Sequence, residues 1–483
     1  MPIKANTNFA NSTQNNEDTD MPNNTNFDNS HLTALTDLIN KAVQDVIAEY
    51  ATFGQPVPSL DTLTPGPFTV PEETPARLTK AIQIIEAACA QLSYTVAPPG
   101  SVMINKSLEH EEPACLLVVT DARIADFLLD KPDGLPASEL AVLSGLDASK
   151  LTRILRLLAT RHCFKEVKPG VFANNRLSMK LLSSDPVSSI VGLLTDESLR
   201  ASAYLNETIT DPKSEVDDGI PFKRATGHSF FDYHKTPQGL KKGERFPRAM
   251  LGWGDVTGKG FLAKVYPWPS YPSGTTICDI GGGNGHVTMA LMKAQPHLKL
   301  VLQDQPQVIE MARKVLLDQR TPTAIEEQRI QFVPFDFFKD AAVEGCDFYY
   351  VRRFSLLDLR DWPDAESEVI LKNVRRSMKP GSKVIIHDTV LRDAVRALTG
   401  DNSNNEADTQ LAQLDLDTAP PPLLPNYGIA RARTYELDMT MMNLLNARAR
   451  TLEEFVELCK KCELKFEKMY KVGETDLVEF SPA

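Results

Sequence analysis

Residues 275–292 contain the feature that most restricts how this chain can fold. A short apolar segment, residues 275–278, leads into Asp-Ile-Gly-Gly-Gly-Asn-Gly at residues 279–285, and an apolar helical pattern follows at residues 287–292. Glycines allow the backbone to turn sharply and to approach a ligand closely. The first turn of the following helix offers free N–H groups to polar ligand atoms. This order predicts a strand, a tight ligand-binding turn and a helix.

Apolar segments that read as strands recur through the second half of the chain. They are residues 298–302, 330–334, 347–351 and 382–388, and helical patterns separate most of them. Acidic residues stand at successive strand ends: Asp279, Asp304 and Asp336. Strands that alternate with helices favour a doubly wound parallel sheet. The predicted fold class is therefore α/β with a Rossmann-like sheet, and residues 466–470 and 477–480 read as its last two strands.

Length and charge limit the classes of protein to which this chain can belong. A chain of 483 residues is expected to form at least two domains. Its formal net charge of -12 argues against nucleic acid as a partner, because phosphate binding needs clustered Lys and Arg. No apolar stretch is long enough to predict a membrane-spanning helix. Residues 1–30 are polar and lack the pattern of a signal peptide, so we expect a disordered arm on a cytoplasmic protein.

The cysteines do not predict a disulfide framework or a metal site. There are seven, unevenly spaced. Cys459 and Cys462 form a Cys-x-x-Cys pattern, but it lies inside the helical pattern of residues 452–464. Neither an activating helix start nor a second pair of ligands accompanies it. We therefore interpret both as ordinary buried thiols.

The first third of the chain has helical patterns. Apolar residues recur at helical spacing in residues 31–50 and 74–92, and a linker rich in proline, residues 53–67, joins the two segments. Helices without a partner close in sequence often pack across a dimer interface. Residues 121–179 then read as three short helices and a two-stranded wing, which is a winged helix. A winged helix is compatible with either DNA binding or dimerisation. The negative net charge of the chain argues against DNA binding.

The glycine turn and the ordered acids resemble the cofactor motifs of S-adenosylmethionine-dependent methyltransferases more than a dinucleotide fingerprint. Over residues 121–480 the order of elements resembles the caffeate-type O-methyltransferase family. The resemblance implies a class I methyltransferase sheet with residues 466–470 and 477–480 as an antiparallel pair at its edge. It also implies bound S-adenosyl-L-methionine and a small-molecule substrate. It implies that the methionine end is cradled by Asp279, Gly281 and Gly283, the ribose held by Asp304, and the adenine flanked by Asp336 and Phe337.

The resemblance also assigns the domains. In that family the winged helix belongs to a dimerisation domain, which favours a homodimer over DNA binding. Its predicted interface uses Leu35, Ile39, Val43, Ile82 and Ile85. The predicted domains are the arm at residues 1–30, the dimerisation domain at 31–180, linker helices bordering the substrate at 181–270, and the cofactor-binding domain at 271–483 with a surface-loop insertion at 398–428.

Apolar side chains near the domain junction are candidates for the substrate wall. Aromatic rings and methionines suit a flat organic substrate, although the same residues could form an interdomain core. The candidates are Phe230, Phe231, Met250, Trp253, Met439 and Met442. His228 and His234 lie in the same linker, and either could shuttle a proton, although a lone histidine is more often structural.

The catalytic motif of the family is altered in this chain. In the family, a His-Asp-Trp motif supplies the base that takes the proton of the acceptor hydroxyl, which a phenol of pKa about 10 requires. The matching residues are Arg360, Asp361 and Trp362, and a guanidinium cannot accept a proton. The glutamate that orients the family histidine is replaced by Ala449. The segment before Arg360 is also longer by about one helical turn.

Three hypotheses follow from this altered motif. An Arg-Asp pair here resembles the fungal O-methyltransferase-like pericyclases of the leporin type. That resemblance implies dehydration of a 2-pyridone alcohol and a hetero-Diels–Alder or Alder-ene cyclisation in secondary metabolism, with S-adenosylmethionine bound but not consumed. Arg360 would then donate to the substrate carbonyl, with Asp361 and His234 as further catalytic candidates. The alternative is an O-methyltransferase for a phenolic or polyketide acceptor that uses His228, His234 or Asp361 as base, or an acceptor already ionised. The third is a non-catalytic scaffolding dimer.

Overall fold

The structure is a computed structural model that describes residues 28–211, 219–318, 329–352, 363–396 and 418–483, except for the side chains of residues 315–318. The arm predicted at residues 1–30 lies almost entirely outside these ranges. Arg360 and Asp361 also lie outside them, as does most of the insertion predicted at residues 398–428.

A helical domain precedes the sheet domain. Its elements are α1 (Ser30–Thr52), α2 (Ala76–Val96), α3 (Pro99–Ser107), α4 (Glu111–Asp121), α5 (Ile124–Phe127), β1 (Leu135–Pro136), α6 (Ala137–Ser144), α7 (Ala148–Thr160), β2 (Lys165–Lys168) and β3 (Val171–Ala173). The strands pair in the order β1-β3-β2. Helix α7 begins at Asp147, whose side chain accepts a hydrogen bond from the backbone N–H of Lys150 (2.9 Å). Leu151 and Leu155 turn into the core of this domain. The predicted winged helix is confirmed.

The two predicted N-terminal helices form, but part of their apolar surface is used inside the chain. Leu35 is 1% exposed, and Ile39 packs in the same cluster. Val43 and Ile82 remain 38% and 41% exposed, and Ile85 is half-buried. The prediction that all five side chains are buried between two chains is therefore wrong for Leu35, and Ile39 is half-buried within the chain. Helical spacing identifies an apolar face, but it does not identify the surface that covers that face.

The surface that covers this face comes from the far end of the sequence. Ala419, Leu423 and Tyr427 are buried against α1 and α2. The side chain of Gln91 in α2 donates a hydrogen bond to the backbone carbonyl of Pro422 (3.0 Å). The described end of the predicted surface loop is therefore packed structure. The prediction of a surface loop failed there because the segment is rich in proline and polar residues. Its few apolar residues, which pack against α1 and α2, therefore did not stand out in the sequence.

Short helices connect the two domains. They are α8 (Pro186–Leu193), a π-helical turn (Leu194–Ser198), α9 (Leu199–Ser202), α10 (Leu205–Thr210), α11 (Pro221–Thr226), α12 (Phe230–Tyr233), α13 (Leu240–Thr257) and α14 (Phe261–Val265). Helices α8 and α13 pack closely at Gly252 of α13, because glycine has no side chain to hold the two helices apart. A Cβ there would lie 2.4 Å from the carbonyl oxygen of Pro186.

The C-terminal domain is a seven-stranded sheet in the order β11-β12-β8-β7-β4-β5-β6. Its elements are β4 (Thr276–Ile280), α15 (His286–Ala294), β5 (Lys299–Asp304), α16 (Pro306–Asp318), β6 (Ile330–Pro334), β7 (Phe348–Arg352), α17 (Asp364–Ser377), β8 (Lys383–Asp388), β9 (Val390–Leu391), α18 (Ala432–Leu445), β10 (Arg450–Thr451), α19 (Leu452–Lys461), β11 (Leu464–Val472) and β12 (Thr475–Pro482). Strands β6, β5, β4, β7 and β8 run parallel, and β12 and β11 add an antiparallel pair at one edge. The predicted sheet is confirmed.

Two apolar layers cover the faces of this sheet. Helices α17 and α19 contribute to one layer, which includes Cys459 and Cys462 as buried free thiols. Helices α14 and α15 contribute to the other. The strands that separate these layers are buried on both faces, as parallel strands usually are. Among the described residues, no helix is both long and apolar enough to cross a membrane.

Candidate cofactor and acceptor site

The glycine turn lies at the carboxyl end of β4, where α15 begins. Gly281, Gly283 and Gly285 have φ values of +67°, +57° and +78°, which glycine tolerates best. The backbone N–H of Gly281 donates to the carbonyl of Gln303 at the end of β5 (2.8 Å). A Cβ on Gly282 would lie 2.3 Å from Leu302. The turn is therefore held against the ends of β4 and β5.

Asp304 is positioned by backbone groups on both sides. It is 1% exposed. One carboxylate oxygen accepts from the N–H of Gly283 (2.9 Å) and the other from the N–H of Gln305 (2.7 Å). Burial nevertheless raises its pKa. Each oxygen keeps a lone pair, so this carboxylate can accept the two hydroxyls of a ribose.

Asp279 is a buried acid beside a buried cation. It accepts a hydrogen bond from the hydroxyl of Thr288 (2.7 Å), and burial raises its pKa to about 7. Arg352, at the end of β7, is 5% exposed and favours the ionised form of Asp279. Burial, with Arg352 and Lys259 nearby, lowers the pKa of His286 to about 3 and keeps its imidazole neutral. The sequence analysis missed Arg352, although a cation at the end of a buried strand is an unusual feature.

Asp336 and Phe337 point in different directions. Asp336 is half-buried, and its side chain pairs with Lys339 (2.7 Å), which lowers the pKa of Asp336. Phe337 is 3% exposed and packs on Phe335 and Phe338 in the sheet core. Of the two predicted adenine neighbours, the Asp336 side chain is the more open. The roles of both stay predictions.

Four of the six predicted substrate residues meet in one aromatic cluster. Phe230 and Trp253 are buried there, and Phe231 and Met250 pack against them. Met439 is 43% exposed, and neither it nor Met442 belongs to this cluster. Helix α18 reaches the cluster with leucines, whose helical spacing places the two methionines on another face. The cluster members contributed by α18 are Leu437, Leu444 and Leu445.

His234 lies inside the same cluster and faces a carboxylate. Its ring centroid is 4.5 Å from that of Phe230 and 5.8 Å from that of Phe246. Its Nε2 lies 3.4 Å from Oε1 of Glu197, which also pairs with Arg245. The other linker histidine, His228, is exposed. The sequence analysis missed Glu197, because nothing in the pattern of residues 194–198 indicates which way its side chain points.

The position of the missing family glutamate is well described. Ala449 is buried, and its backbone N–H donates to a side-chain oxygen of Asp438 (2.6 Å). The neighbouring Arg450 binds Asp364 through two nitrogens (2.7 and 3.0 Å). Asp364, which begins α17 three residues after Asp361 in sequence, therefore lies beside the chain at Ala449 and Arg450.

The sheet order, the glycine turn and the N-terminal winged helix together define a class I methyltransferase fold with a dimerisation domain. Comparison with known proteins agrees. An O-methyltransferase domain matches residues 203–413, and an O-methyltransferase dimerisation domain matches residues 108–184. The chain belongs to the O-methyltransferase family, and it is an enzyme of that family.

Similar proteins cover nearly the whole chain. The 3-O-methyltransferase 2 of Phanerochaete chrysosporium is 45% identical over 94% of this chain and 98% of its own length. The solved structure of the mitomycin 7-O-methyltransferase MmcR is 24% identical, with a TM-score of 0.63 over 80% of this chain and 98% of its own. A structure described as a pericyclic reaction enzyme is 19% identical, with a TM-score of 0.65 over 94% of this chain and all of its own. The two structures show the fold alone.

The cofactor of the protein is S-adenosyl-L-methionine. The residues present fit this group. Asp304 is a buried carboxylate with lone pairs free for two hydroxyls, the glycines let the backbone turn sharply beside it, and Asp279 places a buried acid where a cationic group is favoured.

Proposed function

We propose that the protein transfers the methyl group of S-adenosylmethionine to a hydroxyl of a small aromatic molecule. The observation that carries this proposal is the 45% identity to a 3-O-methyltransferase over almost the full length of both chains. The aromatic cluster of Phe230, Phe231, Met250 and Trp253 supports it, because such side chains pack well on a flat acceptor.

In this proposal each half of the site has a separate task. The cofactor supplies an electrophilic methyl group when bound. Asp304 would hold the ribose of the cofactor, and the glycine turn would contact the cofactor atoms next to its backbone. Asp279 adds a negative charge in a buried position. The aromatic cluster orients the acceptor and excludes water. A phenolic acceptor of pKa about 10 also needs a group that removes its proton.

A pericyclase is the second candidate function. It is favoured by one specific observation, the replacement of both family catalytic positions by Arg360 and Ala449. Arg360 would donate a charge-assisted hydrogen bond to the carbonyl of a dehydrated 2-pyridone alcohol. The loss of the base does not by itself exclude methyl transfer, because another residue could serve as base.

The two candidates differ in the fate of the cofactor. The wild-type protein is incubated with methyl-labelled S-adenosylmethionine and a panel of phenols, and separately with a 2-pyridone alcohol. Methyl transfer should yield S-adenosylhomocysteine and methylated product in equal amounts, measured by mass spectrometry. Many turnovers of the 2-pyridone alcohol without S-adenosylhomocysteine, and no methylation of any phenol, would overturn the proposal in favour of the pericyclase.

A paired substitution gives a second test of the same choice. Arg360→His with Ala449→Glu rebuilds the family pair, so methylation of phenols should be retained or become faster. For a pericyclase the same change removes a charged donor, which would slow cyclisation by roughly 30- to 1000-fold. The single change Ala449→Glu is the control, because it leaves Arg360 in place.

The protein should be a homodimer in solution. Apolar side chains on α3 are left open by the chain itself: Met103 is 65% and Ile104 is 63% exposed. Light scattering at micromolar concentration should report two chains, and Met103→Asp with Ile104→Asp should shift the protein toward one. Val395→Asp, at a 77% exposed site outside this domain, is the matched control. A wild-type monomer would contradict the prediction.

A further inference from the structure

We propose that His234 and Glu197 form the proton-accepting pair for methyl transfer, in place of the pair that the family carries at positions 360 and 449. This inference rests on the proposed function and adds the residue that takes the proton. Neither Arg360 nor Ala449 can act as a base. The pair His234 and Glu197 lies in the aromatic cluster that is assigned to the acceptor.

The geometry is that of a histidine held by a carboxylate. Nε2 of His234 and Oε1 of Glu197 are 3.4 Å apart, and neither atom forms a hydrogen bond with another described residue. The two side chains are 9% and 1% exposed. Nδ1 of His234, on the other side of the ring, also forms no hydrogen bond to the described part of the chain. A carboxylate on one ring nitrogen leaves the other nitrogen as the acceptor of a proton.

The local fold explains why Glu197 points at His234. Residues Leu194–Ser198 form a π-helical turn between α8 and α9. Such turns widen a helix by one residue, and they occur frequently at functional sites. Here the turn buries Glu197 beneath α12 and α13, where Arg245 holds the second carboxylate oxygen. A glycine faces the histidine from α13: a Cβ on Gly243 would lie 2.9 Å from Cβ of His234.

The charges around the pair are balanced by salt bridges. Lys242 binds Asp196 (2.5 Å), and Arg200 binds the same carboxylate (3.0 Å). The charged and titratable groups grouped around Glu197 and His234 are Asp121 from α4, Asp196 from the π-helical turn, Arg200 from α9, Tyr233 from α12, and Lys242 and Arg245 from α13. Among the described carboxylates, Glu197 is the one within 4.0 Å of an imidazole nitrogen of His234. Its negative charge favours the imidazolium that forms when the ring takes a proton.

The proton transfer completes a balanced methyl transfer. The acceptor hydroxyl gives its proton to Nδ1 of His234, while a lone pair on its oxygen forms the new C–O bond. The S–C bond breaks, and its electron pair stays on sulfur. Glu197 stabilises the imidazolium until the proton returns to water after product release. The step needs no further reactant.

The test uses two acceptors that differ in acidity. His234→Asn removes the base and keeps a side chain that can bind Glu197. With an unactivated phenol at neutral pH, kcat should fall by roughly 10²- to 10³-fold, the usual effect of losing a general base. With a nitro-substituted phenol that is already ionised, kcat should fall by less than tenfold. Glu197→Gln should show the same dependence on acceptor acidity with a smaller loss.

Controls separate this role from a structural one. His110→Asn changes a histidine that lies at the same 3.4 Å from a glutamate, but that pair is exposed, so the rate should not change. Calorimetry should show unchanged binding of S-adenosylmethionine to His234→Asn. Equal losses on both acceptors, or no loss on either, would overturn the inference. If the wild type methylates no acceptor at all, the proposed function itself fails.

Discussion

Replacement of Asp279 by asparagine is expected to remove a pH dependence from the stability of the cofactor-free protein. Burial raises the pKa of Asp279 to about 7, and the attraction of Arg352 only partly offsets this. In the unfolded chain the pKa is about 3.9. Between these values the folded state binds one proton more than the unfolded state. The free energy of unfolding therefore decreases as the pH rises through this window, by about 1.4 kcal/mol per pH unit.

Urea unfolding at a series of pH values measures this effect. Between about pH 5 and pH 8 the free energy of unfolding of the wild type should fall by about 3 kcal/mol because of Asp279. The Asp279→Asn variant should lack that decrease. Asp347→Asn is the control of opposite sign. Burial acts to raise the pKa of Asp347, but hydrogen bonds from Lys379 and Thr276 outweigh it and lower that pKa. The stabilisation that ionised Asp347 provides is lost only in acid. Asp347→Asn should therefore leave the pH dependence of the free energy of unfolding unchanged above pH 5.

The same substitution should weaken cofactor binding. An ionised, buried carboxylate gains from a cationic ligand, whereas an amide does not carry the charge. Loss of one charge-assisted contact costs about 1.5–3 kcal/mol, or roughly 10- to 150-fold in Kd. Calorimetry at a pH above the pKa of Asp279 should show this loss. If Asp279→Asn keeps both the wild-type slope and the wild-type affinity, Asp279 is neither the titrating group nor part of the cofactor site.

Substitution of Gly252 by alanine should destabilise the protein by about 2–4 kcal/mol, because a buried methyl group has nowhere to go. The added Cβ would lie 2.4 Å from the carbonyl oxygen of Pro186, 2.5 Å from its carbonyl carbon and 2.8 Å from the nitrogen of Val187. These are backbone atoms, so α8 and α13 must separate as whole helices. The helix pair carries the aromatic cluster, and acceptor binding should weaken as well.

The free energy of unfolding from urea titration measures this effect. Gly100→Ala is the matched control, because a Cβ at Gly100 would have no atom within 4 Å and the residue lies in the first turn of α3. Its effect should stay within about 0.5 kcal/mol. A Gly252→Ala protein as stable as the wild type would contradict the close packing of α8 against α13 at this position.

The sequence alone determined the architecture of the cofactor domain, because local periodicity and glycine placement are sufficient for it. Apolar strands separated by helical patterns lead to the parallel sheet. The glycines at residues 281–285 permit the turn at the end of β4, and Asp304 follows β5 directly. One partner of its carboxylate, the N–H of Gly283, follows from the parallel register of β4 and β5, and the other, the N–H of Gln305, belongs to the next residue of the chain.

Only the tertiary structure decided which distant groups meet. Glu197 and His234 are 37 positions apart in sequence, and their contact depends on a π-helical turn that has no sequence signal. Arg352 faces Asp279 because β7 lies beside β4. Tyr427 covers α1, so part of the predicted dimer face is used within the chain. Periodicity shows which side of an element is apolar or charged, whereas the partner of that side depends on long-range packing, which one sequence does not encode locally.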